Sequence, residues 1–203
     1  DDLFQKGPLG LGTGDYGQIV QILIYVHLFS AGENAGVVGP PGGRRNAGAA
    51  ELAAQVPAWA AGADVRDDHA GEMAAVAIYR GQKTVMAASQ RHAALAETLG
   101  EMQAHEQVHL DRFDELLTQH GVRPTLMAPA WRLAGFALGA ATALMGEKAA
   151  HACTEAVETV IEGHYARQIE EVAADPDAYA PGLQAGLTGF RDDELAHRDA
   201  AIA

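Results

Sequence analysis

Hydrophobic residues recur at intervals of three and four from about residue 64 to the end of the chain, which is the period of an amphipathic helix. The first predicted helix carries Glu72 and Tyr79 on one face and runs towards Met86. The acidic pair Asp67-Asp68 precedes this face and is a candidate N-terminal cap.

Three further amphipathic helices are predicted over about residues 92–119, 147–172 and 181–203. Gly121-Val122-Arg123-Pro124 ends the first of these, and Asp175-Pro176-Asp177 separates the other two. The pattern therefore predicts a helix pair, a long connection and a second helix pair.

The long connection is the most apolar stretch of the chain. It extends from Leu126 to Gly146 with Arg132 as its only charged residue, and its uninterrupted part is shorter than the roughly 20 residues that a membrane span needs. Gly135-x-x-x-Gly139 permits close helix contact, although this spacing is common in soluble bundles. We interpret the stretch either as a buried crossover or as a hydrophobic surface or channel for an apolar substrate.

Residues 1–63 form a glycine-rich N-terminal segment to which the sequence assigns no structure. Gly12 to Gly17 matches the dinucleotide-binding G-x-G-x-x-G by letters, but no predicted strand precedes it, so we expect no nucleotide site there. The apolar run Ile19 to Phe29 fits a packed strand, a short helix or a peripheral anchor. We therefore divide the chain into this segment and one helical domain, residues 64–203.

Composition narrows the possible partners. A formal net charge of −13 argues against a nucleic-acid surface, which needs a basic patch, and against electrostatic docking on anionic lipid. Few aromatic residues and 48% hydrophobic residues favour close-packed helices. The single cysteine, Cys153, lies in an alanine-rich helical run, where we expect a small buried residue rather than a reactive thiolate.

Two copies of Glu-x-x-His give the helical part its candidate chemistry. They are Glu106-x-x-His109 and Glu194-x-x-His197, and a spacing of three places both side chains on one helix face. Glu72 lies 34 residues before the first copy, and Glu158 lies 36 residues before the second. This pattern is the ligand set of ferritin-like di-iron carboxylate bundles. The predicted fold is thus an all-α, ferritin-like four-helix bundle, and carboxylate-rich ligands favour iron or manganese.

Several blocks of residues around these motifs also resemble a known family. They are Asp68-His69-Ala70-Gly71-Glu72, Ile78-Tyr79-Arg80-Gly81-Gln82, Glu106-Gln107-Val108-His109-Leu110, Val122-Arg123-Pro124-Thr125, Trp131, Gly135-Phe136-Ala137-Leu138-Gly139-Ala140, Ala156-Val157-Glu158, His164-Tyr165 and Phe190-Arg191-Asp192-Asp193-Glu194. Over about residues 64–203 the chain is similar to the COQ7 family, the demethoxyubiquinone hydroxylases of ubiquinone biosynthesis. Residues 1–63 match nothing associated with that family.

The resemblance implies a di-iron monooxygenase that uses O₂ to hydroxylate the ring of a polyprenylated quinone precursor. It implies two iron ions per chain, with NADH as a candidate electron donor, and peripheral attachment to a membrane. That membrane would be a bacterial inner membrane, at its cytoplasmic face, or the mitochondrial inner membrane, at its matrix face. Other ubiquinone-biosynthesis proteins are candidate partners.

Carried over by motif, the resemblance assigns three ligands to each iron. The bridges would be Glu106 and Glu194 or Glu158 and Glu106, and the resemblance favours Glu106 and Glu194. One iron would be held by Glu72, Glu106 and His109, and the other by Glu158, Glu194 and His197.

Other side chains near these motifs have two interpretations each. Tyr165 and His164 are candidate catalytic residues behind the ligands, but a buried tyrosine also needs only an ordinary hydrogen-bond acceptor. Tyr79 has the same two interpretations. Asp193 is either a partner of a metal-bound histidine or a solvated helix charge.

Two other functions use part of the same residues. His105-Glu106-x-x-His109 spells the zinc protease motif H-E-x-x-H, but that function leaves Glu72, Glu158 and the second Glu-x-x-His unexplained. An iron-storage or peroxide-consuming ferritin relative would share the ligands without needing the apolar connection. His105 lies about 100° around the helix from Glu106. The di-iron interpretation, in which Glu106 and His109 point inward, therefore predicts that His105 points elsewhere.

Overall fold

A computed structural model describes residues 64–119, 121–176 and 182–202. All regular secondary structure in these residues is helical, which confirms the predicted all-α class. The helices are α1 (Asp64–Met86), α2 (Ala93–Gln119), α3 (Ala128–Leu144), α4 (Glu147–Ala174) and α5 (Leu183–Ile202), with a 3-10 turn at Gln90–His92. The predictions for Gly12 to Gly17 and for Ile19 to Phe29 lie outside the described residues.

The start of α1 differs from the predicted one. The helix begins at Asp64, so Asp67 and Asp68 lie inside its first two turns, and the prediction that they cap it is wrong. Asp68 is instead buried, and both of its carboxylate oxygens accept hydrogen bonds from Gln168 of α4, at 3.0 and 3.1 Å. The Asp68 carboxylate therefore forms a tertiary contact instead of the helix cap that the local pattern predicted.

The four long helices α1, α2, α4 and α5 form two antiparallel pairs. Near the start of α1, His69 Nε2 lies 3.0 Å from Asp114 Oδ1, near the end of α2. In the other pair, Arg191 of α5 donates a hydrogen bond of 2.6 Å to Glu162 of α4. The buried amide of Gln82 joins the pairs, because its Nε2 donates to the Ala150 carbonyl of α4 at 3.0 Å. The hydrophobic core lies between the pairs.

Helix α3 is the connection between the pairs, and it runs parallel to α1 in unusually close contact. A Cβ on Gly139 would overlap the backbone carbonyl of Ile78, and one on Gly135 would lie 3.0 Å from the Ala74 carbonyl oxygen. Gly81 of α1 meets the α3 backbone in the same way. The small-residue spacing, which is common by itself, is here a steric requirement of the helix contact.

The opposite side of α3 faces solvent and is mostly apolar, with the exposed Arg132 as its one charged residue. Leu133 and Leu144 are more than two-thirds exposed, and Leu126 and Met127 before the helix are exposed as well. One face of the stretch is therefore buried against α1, as the crossover interpretation predicts, and the other forms a hydrophobic surface whose role for an apolar substrate stays a prediction. Among the described helices, none combines the length and the hydropathy that crossing a membrane requires.

Cys153 is buried in α4, as predicted. Burial raises the pKa of its thiol to about 12, so the thiolate is scarcely populated at neutral pH. This confirms that it is a packing residue.

Candidate metal centre

Six side chains from four helices meet in the middle of the bundle. Each is at most 5% exposed, and the arrangement follows from helical spacing, since each Glu-x-x-His places two groups on one inward face. They are Glu72 on α1, Glu106 and His109 on α2, Glu158 on α4, and Glu194 and His197 on α5. The structure thus brings together all six residues that the sequence proposed as ligands.

The six side chains form two overlapping groups. Within each group one nitrogen or oxygen atom per residue lies within 4.8 Å of the others. The first group is Glu72, Glu106, His109 and Glu194, and the second is Glu106, Glu158, Glu194 and His197. Glu106 and Glu194 belong to both, which is the geometry expected of two carboxylates that bridge a pair of metal ions.

The polar atoms of the cluster are buried without hydrogen-bond partners. Nine such atoms occur here: both oxygens of Glu106, Glu158 and Glu194, Oε2 of Glu72, and Nδ1 of both histidines. His197 Nδ1 lies only 2.8 Å from Glu106 Oε1, and His109 Nδ1 lies 3.2 Å from Glu194 Oε1. Buried polar groups without partners are costly, and divalent ions among them would satisfy the converging lone pairs. The residues therefore fit a di-metal centre.

Without metal, the cluster retains protons. Burial, followed by the charge of Glu106, raises the pKa of Glu72 to about 8, and burial raises the pKa of Glu158 to about 8. The pKa of Glu194 is also raised, by burial and by Glu158. Burial lowers the pKa of His109, but the three carboxylates close to its Nδ1 favour the charged imidazolium more strongly, so this pKa is raised as well. A bound cation would replace these protons.

Both imidazoles direct Nδ1 to the cluster and Nε2 outwards, but their outer partners differ. His109 Nε2 lies 3.1 Å from Asp193 Oδ2, so the structure decides for the hydrogen-bonding interpretation of Asp193. His197 Nε2 lies 3.1 Å from Nδ1 of His105. His105 points away from the cluster as expected, since it is exposed and belongs to neither ligand group, but its side chain reaches the outer edge of a candidate ligand.

Tyr165 connects the two halves of the cluster. It is fully buried in α4, and its hydroxyl donates a hydrogen bond to Oε1 of Glu72 on α1 rather than to Glu158 of its own helix. His164 turns away to Asp68, with Nε2 2.9 Å from Oδ1. Sequence reasoning missed Asp68 and Gln168 as members of this buried network, and the only signal was the His164–Gln168 spacing of four.

Tyr79 is also buried, but its hydroxyl has no hydrogen-bond partner. Its ring meets that of His197 edge-on, with centroids 6.4 Å apart. Tyr79 therefore packs against a candidate ligand and differs from Tyr165 in leaving its donor unused.

Comparison with known proteins agrees with this site. The model of the family described as "Ubiquinone biosynthesis protein COQ7" matches residues 60–203, which include all six clustered side chains. The chain belongs to the COQ7 family.

Curated COQ7 relatives from bacteria and eukaryotes carry related names. The chain is 48% identical over 139 residues to the 3-demethoxyubiquinol 3-hydroxylase of Rhodospirillum rubrum and 42% identical to the NADPH-dependent 3-demethoxyubiquinone 3-hydroxylase of Homo sapiens, a mitochondrial protein. It is 41% identical over 149 residues to the mitochondrial 5-demethoxyubiquinone hydroxylase of Saccharomyces cerevisiae. Each match covers 68% of this chain, which spans 62 to 63% of the length of these relatives.

The COQ7 match and the geometry both oppose the zinc protease interpretation. His105 belongs to neither group of clustered ligand atoms, and Glu106 is shared between the groups instead of facing an open position as a general base. The iron-storage alternative is likewise not favoured, since the relatives are named as hydroxylases.

Proposed function

We propose that residues 64–203 form a di-iron monooxygenase domain that hydroxylates the ring of a demethoxyubiquinone-type polyprenyl quinone with O₂. The observation that supports this most is the pair of buried ligand groups sharing Glu106 and Glu194. The hydroxylase names of the relatives supply the substrate class.

In this proposal Glu72 and His109 would hold one iron, Glu158 and His197 would hold the other, and Glu106 and Glu194, which belong to both ligand groups, would be shared between them. Bound iron would supply the activation of O₂, which amino-acid side chains alone cannot perform. The four carboxylates offset the charge of two divalent ions, so the loaded centre adds no net charge to the core.

The surrounding side chains hold and orient the centre. Tyr165 fixes one oxygen of Glu72, which leaves Oε2 to face the cluster. His164 is a candidate proton carrier, because it lies between the surface and the buried carboxylate of Asp68. We propose a reduced nicotinamide as electron source, NADH or, as in the name of the human relative, NADPH.

The apolar outer side of α3 suits an enzyme whose substrate dissolves in lipid. We propose that Leu126, Met127, Leu133 and Leu144 contact the membrane peripherally and that the quinone reaches the centre from there. This contact would be hydrophobic, because the net charge of −13 repels anionic lipid. The membrane face would be the cytoplasmic face in a bacterium or the matrix face in mitochondria.

The experiment that tests this function measures iron and product together. The full chain, isolated from iron-replete cells, should contain about two irons, as the paired ligand groups imply. After anaerobic reduction, O₂ and a demethoxyquinone should give the hydroxylated quinone. Oxidation of iron without product would favour storage, and about one zinc per chain would contradict the di-iron centre.

A matched pair of α5 variants assigns the activity to the cluster. Glu194→Ala should lose iron and reduce hydroxylation more than about 100-fold. Loss of a shared ligand should reduce activity more than loss of a residue that only hydrogen-bonds to a ligand. Asp192→Ala removes an exposed carboxylate two residues away and should change neither quantity. Equal activity in both variants would overturn the assignment.

A further inference from the structure

The two candidate histidine ligands differ in what lies behind them. His109 is held from outside by the carboxylate of Asp193 and by the ring of Phe190, whose centroid lies 4.3 Å from its own. His197 has the imidazole of His105 as its outer hydrogen-bond partner. A ligating histidine normally passes its second N–H to such a partner, which fixes its tautomer and ring orientation.

The contact between His105 and His197 is a hydrogen bond and not a stacking of rings. The two ring planes differ by 20°, and their centroids lie 5.4 Å apart. That separation is about the 3.1 Å between the facing nitrogens plus the radii of two five-membered rings, so the rings meet edge to edge. Each nitrogen thus lies near the plane of the other ring, where its lone pair or N–H points.

The orientation of His197 towards the cluster decides which of the two imidazoles donates the hydrogen bond. His197 Nδ1 faces the carboxylates, 2.8 Å from Glu106 Oε1, so as a metal ligand it would offer its lone pair there and carry its proton on Nε2. That N–H donates to Nδ1 of His105, which accepts. His105 thereby ties the inward face of α5 to α2.

We propose that His105 is a positioning residue for His197 and for one metal position only. Asp193 serves His109 in the other position. The paired ligand groups are thus held by unlike outer contacts, an imidazole for one and a carboxylate for the other. This rests on the di-metal centre proposed above, and it assigns a role to the histidine that the H-E-x-x-H motif had suggested as a ligand.

Cobalt(II) binding tests this without requiring turnover. The metal-free full chain is titrated with Co²⁺ under anaerobic conditions, with ligand-field absorption and calorimetry followed for each equivalent. The wild type should bind two ions. His105→Leu should weaken one of the two about 10- to 100-fold and alter its absorption band, the usual cost of losing an outer partner.

Two further variants separate positioning from general damage. Asp193→Leu should also weaken one ion, and the double variant should weaken both. His105→Gln, whose amide oxygen can accept the same N–H, should recover most of the lost affinity. Circular dichroism and urea unfolding should match the wild type for each single variant, because both side chains are exposed.

The possible failures are distinct. If the wild type binds fewer than two Co²⁺ ions, the di-metal centre itself fails. If it binds two, the positioning role is overturned when His105→Leu weakens neither ion or weakens both equally, or when the glutamine variant binds no better than the leucine variant.

Discussion

Helix α1 contacts its neighbours through two faces of opposite character. The face towards α3 brings Ala74 and Ile78 against the glycines of that helix at backbone distance. The face towards the bundle interior carries Glu72, whose carboxylate is desolvated and, at Oε2, unpartnered. Dispersion and burial stabilise the contact with α3 whether or not metal is bound. Burial of the Glu72 carboxylate, by contrast, is unfavourable until a cation is present.

This difference indicates how the folded bundle remains stable although its centre contains buried carboxylates. Four buried carboxylates oppose folding, so close packing elsewhere has to offset them. The Glu72 face should therefore respond to pH and metal, and the α3 face should respond only to shape.

The largest expected effect is the pH dependence of the metal-free protein. Since the pKa values of Glu72 and Glu158 are raised from 4.5 to about 8, the folded state binds more protons than the unfolded state in that window, and stability falls as pH rises through it. From pH 5 to pH 8 we expect each of the two groups to lower the free energy of unfolding by roughly 3.5 kcal/mol. Urea unfolding in the presence of a chelator measures it.

Metal should reverse this trend, because it displaces the same protons and binds more tightly as pH rises. Glu158→Gln should reduce the slope of the metal-free protein, since an amide does not titrate. A metal-free protein that is equally stable at pH 5 and pH 8 would contradict the burial of ionisable groups at the centre.

The next effect concerns the α3 face of α1. Gly139→Ala places a Cβ against the Ile78 carbonyl and should destabilise the protein by roughly 3 kcal/mol, because backbone on both sides resists displacement. Gly163→Ala, inside α4 with open space around it, should instead stabilise by about 0.5–1 kcal/mol. Urea midpoints of the two variants decide the point, and a shift of the same sign in both would show that α3 does not pack as described.

A smaller effect separates the two buried tyrosines. Tyr165→Phe leaves Glu72 without its donor and should destabilise the metal-free protein by about 1–2 kcal/mol. Tyr79→Phe removes a hydroxyl that has no partner and should cost less than about 0.5 kcal/mol. Thermal unfolding of both variants provides the comparison. Equal losses would mean that the Tyr165 hydroxyl contributes no more than the unpaired one.

The smallest effect on stability is expected at the outer side of α3. Leu133→Ser together with Leu144→Ser should change the unfolding free energy by no more than ~0.5 kcal/mol, since both side chains are exposed. The same double variant should bind neutral-lipid vesicles more weakly than wild type, and high salt should not release the wild type. Unchanged binding would remove this surface from the proposed membrane contact.

The sequence by itself determined the four amphipathic helices and the chemical type of the site. Helical spacing alone places Glu106 beside His109 and Glu194 beside His197, because a separation of three residues is local geometry that hardly depends on the rest of the fold. The apolar connection and the breaks at glycine and proline followed from equally local rules.

Only the tertiary structure decided which groups meet across helices. The packing of α1 on α4 gave the Tyr165 hydroxyl to Glu72 and drew Asp68 from a helix cap into a buried network. The packing of α2 on α5 gave Asp193 to His109 and His105 to His197. These pairings depend on the rotation and axial shift of one helix against another, and the period of a single helix contains neither quantity.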